Sequence, residues 1–478
     1  MLRFPGWKRV VQSIPFRLLV AALVLAVHLG AFAHMAQSRY GLPFNSAPGE
    51  APALEEVTQH RPTNWDRLVV SRWDAAHYMS IAMRGYSQCP SGSLAGTDLR
   101  PIFTRCDITF YPGDGLLGKA MMWATGWPID YSLFAVSLLC SFLFLFIWTG
   151  RSVVEIFGLR VTWLAFLLFN AFSTGYTLVA ILTEPPALLF TLCAFLALRR
   201  RWWLLGAIFA GAATGLRINA ASTGLAFALT VFVSLFVLRP KGIWDWFSRI
   251  VALPVSGWGV MSMMGYHWWR FGDPLLYSNA HSQAYAHSAD PLTALTPKLL
   301  WILRAIDHPL HEGVVVLLVT IGFLLGHRRA MRGVLLPEQV FFYAQAGFCM
   351  AISLLGSSGI AFAGLNRYTL MALLVFFAIA AALQRRPLLL AVWLLADTAA
   401  LGFCDAPPAI GSASTHVSAG DCSDAAPSTA GQCFCCSQLV AVVRFDLLFT
   451  EERVHVAAPE QARPPDISIR NSSPPPRL

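Results

Sequence analysis

The segment Arg72–Tyr78 carries the residue types that proton-transfer chemistry needs. It reads Arg-Trp-Asp-Ala-Ala-His-Tyr, and at helical spacing Asp74, His77 and Tyr78 share one face. A carboxylate within hydrogen-bond reach of a hydroxyl can take its proton as a general base. The segment therefore predicts a catalytic base at Asp74. His77 would orient Asp74 or bind a substrate hydroxyl, and a purely structural hydrogen bond is the open alternative.

A second set of charged residues lies against apolar segments further along the chain. Glu184 lies near the start of one long apolar run, Arg217 follows another, and Arg367 precedes a third. A charge at the centre of a membrane helix costs roughly 2.5–3.5 kcal/mol on insertion scales, so such residues need a reason. Arginine binds phosphate through two parallel hydrogen bonds, so a shared anionic ligand accounts for Arg217 and Arg367. The structural alternatives are a snorkelling anchor at Arg217 and a helix-dipole contact at Glu184.

The composition places these residues in an integral membrane protein. Of 478 residues, 56% are hydrophobic and only 13% are charged, whereas soluble domains carry about 25% charged residues. The mean hydropathy is +0.56. The net charge of +9 does not indicate a nucleic-acid partner, because the basic residues form short clusters between apolar runs, such as Arg199-Arg200-Arg201.

About eleven apolar runs have a length suited to crossing a bilayer as helices. Residues 1–35 form a basic N-terminus and a first helix, and no small-residue cleavage site follows it, which predicts an uncleaved helix. A long polar loop, 36–130, precedes a helical bundle over 131–403, and a helix is expected in this loop near Gly113–Trp127. The runs are Leu18–Met35, Tyr131–Thr149, Val161–Gly175, Thr177–Leu198, Trp202–Leu216, Ala221–Leu238, Ile250–Tyr266, Gly313–Gly326, Val340–Leu355, Tyr368–Leu383 and Leu388–Phe403.

The loops between these runs alternate between basic and weakly charged. The positive-inside rule places the basic loops and the N-terminus in the cytoplasm. The loop 36–130, the turn at Asn219, the loop His267–Glu312 and the loop near Asn366 then lie outside the cell membrane. The sequence therefore predicts an all-α, multi-pass protein of the cell membrane whose candidate site faces away from the cytoplasm.

The cysteines and the last 75 residues add little chemistry. Residues 404–478 are rich in Ala, Pro, Ser and Cys without helical periodicity, which predicts disorder. Cys433, Cys435 and Cys436 lack the partner spacing of a metal site. Cys89 and Cys106 lie in the long loop, where a disulfide and two free thiols are both open.

A series of short elements resembles the phosphatidylinositol-glycan class V mannosyltransferase family in its prokaryotic branch, which belongs to the GT-C glycosyltransferases. The elements run in family order over Leu18–Leu383, and the Arg-Trp-Asp motif is the most specific of them. They are Arg72-Trp73-Asp74, Gly85-Tyr86, Phe110-Tyr111-Pro112, Thr183-Glu184, Arg217-Ile218-Asn219, Phe271-Gly272-Asp273-Pro274 and Arg367-Tyr368. Departures from the family pattern are Tyr111 for a second Phe, Ala220 where Gly is common, and the tail after Phe403.

The resemblance implies a GT-C-type membrane bundle with a long extracytoplasmic first loop that covers the active site. It implies transfer of a hexose, with mannose the expected sugar, from a polyprenyl-phosphate donor to a hydroxyl acceptor with inversion. Asp74 would be the general base, and Arg217 and Arg367 would hold the donor phosphate. The expected substrate-binding residues are Arg72, Trp73, His77, Tyr78, Glu184, Arg217, Asn219 and Arg367.

No cofactor is expected beyond the lipid-linked sugar, which is itself the substrate. The chain has no P-loop, no dinucleotide fingerprint and no Asp-x-Asp in the loop, so a metal-held nucleotide sugar is disfavoured. Asp107 is a conceivable second carboxylate for a divalent metal, but no metal is predicted. The rival functions are a lipid-linked-glycan transporter or flippase without chemistry, and a ligase that moves a whole glycan. The absence of an internal repeat disfavours the transporter.

Overall fold

The structure is a computed structural model that describes residues 7–40, 74–87, 89–90, 92–99, 106–172, 175–284, 313–355, 370–386 and 388–391. These residues are mainly helical, and they contain no β-strand. The α-helices are α1 (Trp7–Gln12), α2 (Ile14–Tyr40), α3 (Ala75–Arg84), α4 (Gly113–Thr125), α5 (Ile129–Trp148), α6 (Arg151–Phe157), α7 (Leu159–Asn170), α8 (Glu184–Arg199), α9 (Trp203–Thr214), α10 (Ala221–Val237), α11 (Ile243–Val255), α12 (Trp258–Phe271), α13 (Leu276–Ala284), α14 (Gly313–Ala330), α15 (Leu336–Leu355) and α16 (Val375–Leu383).

Three of the described helical segments are long and apolar enough to cross a membrane. They are Ile14–Ala33, Ile129–Trp148 and Ile218–Val237, the last of which joins a short 3₁₀ turn to α10. A fourth arises if α6 and α7 count as one span, although they are bent by 107° at Gly158, whose φ of 81° favours glycine. The described part of the chain is therefore compatible with a helical membrane protein. The number of about eleven spans stays a prediction.

The helix α8 is shorter than its predicted run, Thr177–Leu198. It begins at Glu184 because Pro185 and Pro186 occupy its first turn. Proline has no N–H to donate and fits only where the helix leaves that N–H unbonded. The residues before Glu184 are instead a 3₁₀ turn, Gly175–Leu178, and a buried irregular segment. This start point places the Glu184 carboxylate at the end of the bundle.

The predicted run Ile250–Tyr266 is divided between two helices. Pro254 lies in the last turn of α11, and α12 begins at Trp258 after a break at Ser256 and Gly257. The run Leu388–Phe403 lies mostly outside the described residues, as does the whole of the predicted tail, 404–478. The predicted helix Gly113–Trp127 corresponds to α4.

The core of the bundle is an apolar cluster contributed by α5 to α10 and α14 to α16. Glycines allow α9 and α12 to cross closely, since a side chain on Gly259 would overlap the Gly211 carbonyl. This crossing fixes the end of α9 and the turn that follows it, which carries Arg217.

The helix α8 defines two ends of the bundle. Its 16 residues span about 24 Å at 1.5 Å per residue. We call the end with Glu184, Gly113 and Gly215 the loop end. The opposite end, with Arg199 and Glu338, is the basic end.

Candidate functional site

The first predicted loop packs onto the loop end through α4. The Gly113 N–H donates a hydrogen bond of 3.0 Å to the Gly215 carbonyl, and any side chain at Gly113 would overlap that carbonyl. On the other side of α4, a Cβ atom at Gly115 would lie 2.9 Å from the Tyr78 carbonyl oxygen. Two glycines thus bring α4 against the backbone of both α3 and the turn after α9. We call the described residues between 74 and 125 the loop cap.

The predicted base lies at the start of α3. Asp74 occupies the N-cap position, where it makes no side-chain capping bond, and its carbonyl accepts from the Tyr78 N–H at 3.2 Å. Tyr78 is buried, and its ring meets that of Phe110 edge-on at 5.8 Å. Asp74 therefore lies at the start of a packed helix and not in an isolated loop.

His77 is paired with Asp107, a residue that the sequence indicated only as a conceivable metal ligand. The His77 Nδ1 atom lies 2.6 Å from Asp107 Oδ1, and the Ser80 hydroxyl donates to Asp107 Oδ2 at 2.6 Å. The His77 ring also stacks on Phe110 with centroids 4.0 Å apart. A carboxylate at Nδ1 fixes the orientation of an imidazole and presents its Nε2. That His77 orients Asp74 stays a prediction.

A disulfide positions Asp107. Cys89 and Cys106 form a disulfide, with their Cα atoms 4.6 Å apart, so they are not the two free thiols that the sequence also allowed. Asp107 follows directly, with a φ of 54° in the left-handed region, which aspartate tolerates better than most residues. The crosslink and the turn together aim the Asp107 carboxylate back at α3.

The second predicted outer loop contacts the loop cap. His281 Nε2 lies 3.0 Å from the Thr109 carbonyl, and the Leu94 N–H donates to the Phe271 carbonyl at 2.9 Å. Gln283 Oε1 accepts from the Leu99 N–H at 2.6 Å. The segments predicted to share one side of the membrane therefore meet at one end of the bundle.

Three ionisable side chains are buried where the loop cap meets the bundle. Glu184 and Arg217 form an ion pair between Oε1 and Nη1, with Glu184 0% and Arg217 9% exposed. Asn219, two residues beyond Arg217, is buried too. The third is Asp114 in the first turn of α4, which is 0% exposed, and neither of its carboxylate oxygens has a hydrogen-bond partner among the described residues.

Asp114 is a site residue that the sequence reasoning missed. Burial raises its pKa well above the ordinary value, and repulsion from Glu184 raises it further. A helix is expected from Gly113, but Gly-Asp-Gly is a sequence typical of exposed turns, so nothing in the pattern indicates that the aspartate is buried. Only the close packing of Gly113 and Gly115 shows that the aspartate lies inside the protein.

The structure brings most of the predicted site residues to the loop end, in two groups. Asp74, His77 and Tyr78 lie on α3, and Glu184, Arg217 and Asn219 lie at the α8 and α9 ends. The helix α4 contacts both groups. The predicted Arg72, Trp73 and Arg367 lie outside the described residues.

The described residues contain no group of three or more His, Cys, Asp or Glu side chains that could hold a metal ion. Asp107 is instead engaged by His77 and Ser80. What this arrangement offers chemically is a carboxylate at Asp74, an oriented imidazole and a buried guanidinium. That combination can accept a proton and stabilise an anion.

Comparisons with known proteins add no assignment. No family model matches the chain, and a search of curated proteins returns no match.

Proposed function

We propose that this protein is a membrane glycosyltransferase. It would transfer a hexose, with mannose the expected sugar, from a polyprenyl-phosphate donor to a hydroxyl acceptor at the extracytoplasmic face. The observation that carries the proposal is the packing of the loop cap, with its general-base candidate, over the end of the bundle that buries Arg217. A proton acceptor beside a cation in a partly desolvated place suits the departure of a phosphate.

In the proposed reaction, the acceptor hydroxyl attacks the anomeric carbon from the face opposite the phosphate. Its proton passes to Asp74, and the bond between the anomeric carbon and the phosphate oxygen breaks. The electron pair of that bond leaves with polyprenyl phosphate, whose charge Arg217 stabilises. The Glu184 carboxylate holds the guanidinium in place through its ion pair. Inversion follows from the single displacement.

His77 has a supporting part in this proposal. Its side chain is 31% exposed, while the Asp107 carboxylate that holds its Nδ1 is almost fully buried. The exposed edge would hydrogen-bond a sugar or acceptor hydroxyl near Asp74. Tyr78 and Asn219 would line the site, together with Arg72, Trp73 and Arg367 from the rest of the chain.

The test is an Asp74→Asn variant in a transfer assay with purified protein. General-base catalysis contributes roughly 100–10,000-fold, so transfer should fall by that order while donor binding changes little, because the loss belongs to the transition state. Asp74→Glu should also be slow, since it moves the carboxylate by about 1 Å in a geometry-sensitive site. Asp98→Asn is the matched control, because Asp98 is an exposed carboxylate on the same loop cap.

Release of free polyprenyl phosphate from a labelled donor separates this function from its rivals. A transporter or flippase would bind the donor and move it without releasing polyprenyl phosphate, and Asp74→Asn would leave its flux intact. Transfer by Asp74→Asn at the wild-type rate would remove Asp74 from the mechanism.

A further inference from the structure

The group of Asp114, Glu184 and Arg217 contains one more carboxylate than its cation can neutralise. The ion pair between Glu184 and Arg217 balances one negative charge. Asp114 remains, fully buried, with both oxygens unpartnered among the described residues. An isolated ionised carboxylate is so unfavourable in a low-dielectric interior that such a group takes up a proton instead.

Two effects on the ionisation of Asp114 oppose each other, and their relative sizes decide whether its carboxyl group is charged. Its place in the first turn of α4 favours the ionised form through the helix dipole, which has only a modest effect on a charged side chain. The desolvation of a buried ion is a much larger penalty, even after relaxation. Burial therefore dominates, and the like charge of Glu184 acts in the same direction.

Among the described residues, the surroundings of Asp114 offer no alternative cation. From α8 the facing group is Glu184, and from α5 it is the Cys140 thiol. The turn after α9 contributes Arg217, which is paired with Glu184. The helix α3 approaches α4 at Gly115 through the backbone of Tyr78. A proton is thus the one positive charge that these groups leave for Asp114.

We infer that Asp114 is an uncharged carboxylic acid in the resting protein and that it donates a hydrogen bond to a phosphate oxygen of the lipid-linked donor, beside Arg217. The ligand half of this inference rests on the proposed function. The chemistry that would recognise the ligand is a phosphodiester with a single negative charge. Such a ligand can approach a protonated Asp114 but would be repelled by an ionised one.

This assignment makes donor binding depend on one proton. Below the pKa of Asp114 the affinity should not vary with pH. Above it, a proton must be taken up for each ligand bound, so the dissociation constant should rise tenfold per pH unit. Glu184 differs from Asp114 in that it is paired with an arginine.

The first experiment tests the proton and does not need the proposed function. Infrared spectra of the full chain in detergent at neutral pH should contain the carbonyl stretch of a protonated carboxylic acid, which Asp114→Asn should remove. Asp98→Asn, which alters an exposed carboxylate, should leave that band in place. A wild-type spectrum without a band that depends on Asp114 would overturn the inference.

The second experiment tests the ligand. Binding of short-chain prenyl phosphomannose and prenyl phosphoglucose would be titrated by calorimetry from acid to alkaline pH, since these phosphodiesters keep one charge throughout. Asp114→Leu should weaken binding about 10–150-fold, the range for a hydrogen bond to a charged group. Asp114→Asn keeps a donor and should weaken binding less than tenfold while it abolishes the alkaline loss.

The outcomes distinguish the two proposals. If neither phosphohexose binds but the infrared band is present, the proposed function and the ligand half fail and the buried acid stands. If binding is observed but the Asp114→Asn profile keeps the alkaline loss, Asp114 is not the proton that binding requires, and the inference fails while the proposed function survives.

Discussion

The two ends of α8 each carry a glutamate–arginine pair, but their surroundings differ. At the basic end, Arg199 Nη1 bonds both Glu338 oxygens at 3.0 and 3.1 Å. Nearby, Asp245 accepts from the Trp203 indole at 2.8 Å and from Arg249 at 2.7 Å. Each of these buried or half-buried charges has a matched partner.

At the loop end the charges do not balance. The Glu184–Arg217 pair lies beside the extra carboxylate of Asp114, and the loop cap lies above it. A matched pair serves packing, because breaking it leaves a buried charge exposed to an apolar interior. A surplus buried carboxyl group, which stays neutral only while it holds a proton, costs folding free energy, and this cost indicates a binding role. The difference between the ends therefore separates structural ion pairs from those of the candidate site.

The comparison first predicts an all-or-none difference in labelling across the membrane. In intact cells, an impermeant thiol reagent should modify Ala95→Cys on the loop cap but not Arg200→Cys at the basic end. Both positions are exposed in the described structure. Ala95 is preferred to its neighbour Gly96, whose φ of 73° strains other residues.

The parent for this labelling keeps Cys89 and Cys106, since the disulfide shapes the loop cap, and lacks the other cysteines. Permeabilised cells are the control, in which both probes should react. Labelling of both probes in intact cells would place the two ends on one side of the membrane and contradict the topology.

The next largest effect is a contrast in donor binding between Arg217 at the loop end and Arg199 at the basic end. Arg217→Ala should raise the dissociation constant for a prenyl phosphohexose about 10–150-fold, because it removes a charge-assisted hydrogen bond. Arg217→Lys should rescue only part of this loss, because lysine lacks the planar fork. The sequence predicts the same loss for Arg367→Ala. The measurement is calorimetric titration of each purified variant.

Arg199→Ala is the matched control at the basic end. It leaves the Glu338 carboxylate, which is buried, without its partner, so the thermal unfolding midpoint should fall while the dissociation constant stays unchanged. Equal effects of the two alanine variants on binding would mean that the ends do not differ in function.

Much of the bundle could be predicted because apolar runs specify membrane-length helices. The run Tyr131–Thr149 corresponds to α5, and Ala221–Leu238 corresponds to α10, each within two residues. Breaks inside apolar runs were harder to predict, because an apolar residue continues the pattern whether or not the helix continues. Prolines set the start of α8 and the end of α11, and a hydropathy profile does not detect such helix ends.

The candidate site could be predicted only where a short motif carries it. Asp74, His77 and Glu184 lie in such motifs. The pairing of His77 with Asp107 spans 30 positions and depends on a disulfide and a left-handed turn, which no local pattern specifies. Asp114 escaped prediction for a similar reason, because its burial depends on two glycines meeting backbone from distant segments.

The smallest effect expected is a pair of opposite pH dependences of stability. The pKa of Asp114 is raised by burial and by Glu184. At Asp245 burial raises the pKa, but hydrogen bonds from the Lys241 N–H, Arg249 and Trp203 outweigh it and lower the pKa. The stability that depends on Asp114 is fully present below its ordinary pKa and is lost as pH rises through the raised one. That of Asp245 is present above its ordinary pKa and is lost as pH falls through the lowered one.

Thermal unfolding midpoints test the direction of both pH dependences. They would be measured from acid to alkaline pH, in one detergent, for the wild type, Asp114→Asn and Asp245→Asn. Relative to the wild type, Asp114→Asn should gain stability with rising pH, by about 1.4 kcal/mol per pH unit between the two pKa values. Asp245→Asn should show a deficit at neutral pH that shrinks on acidification. Because the two carboxylates lie at opposite ends of the bundle, a shared detergent or net-charge effect would move both variants in the same direction. A difference in unfolding midpoint between Asp114→Asn and the wild type that stays constant with pH would show that Asp114 ionises in the folded protein as it does in the unfolded chain, and would contradict a neutral Asp114 at the loop end.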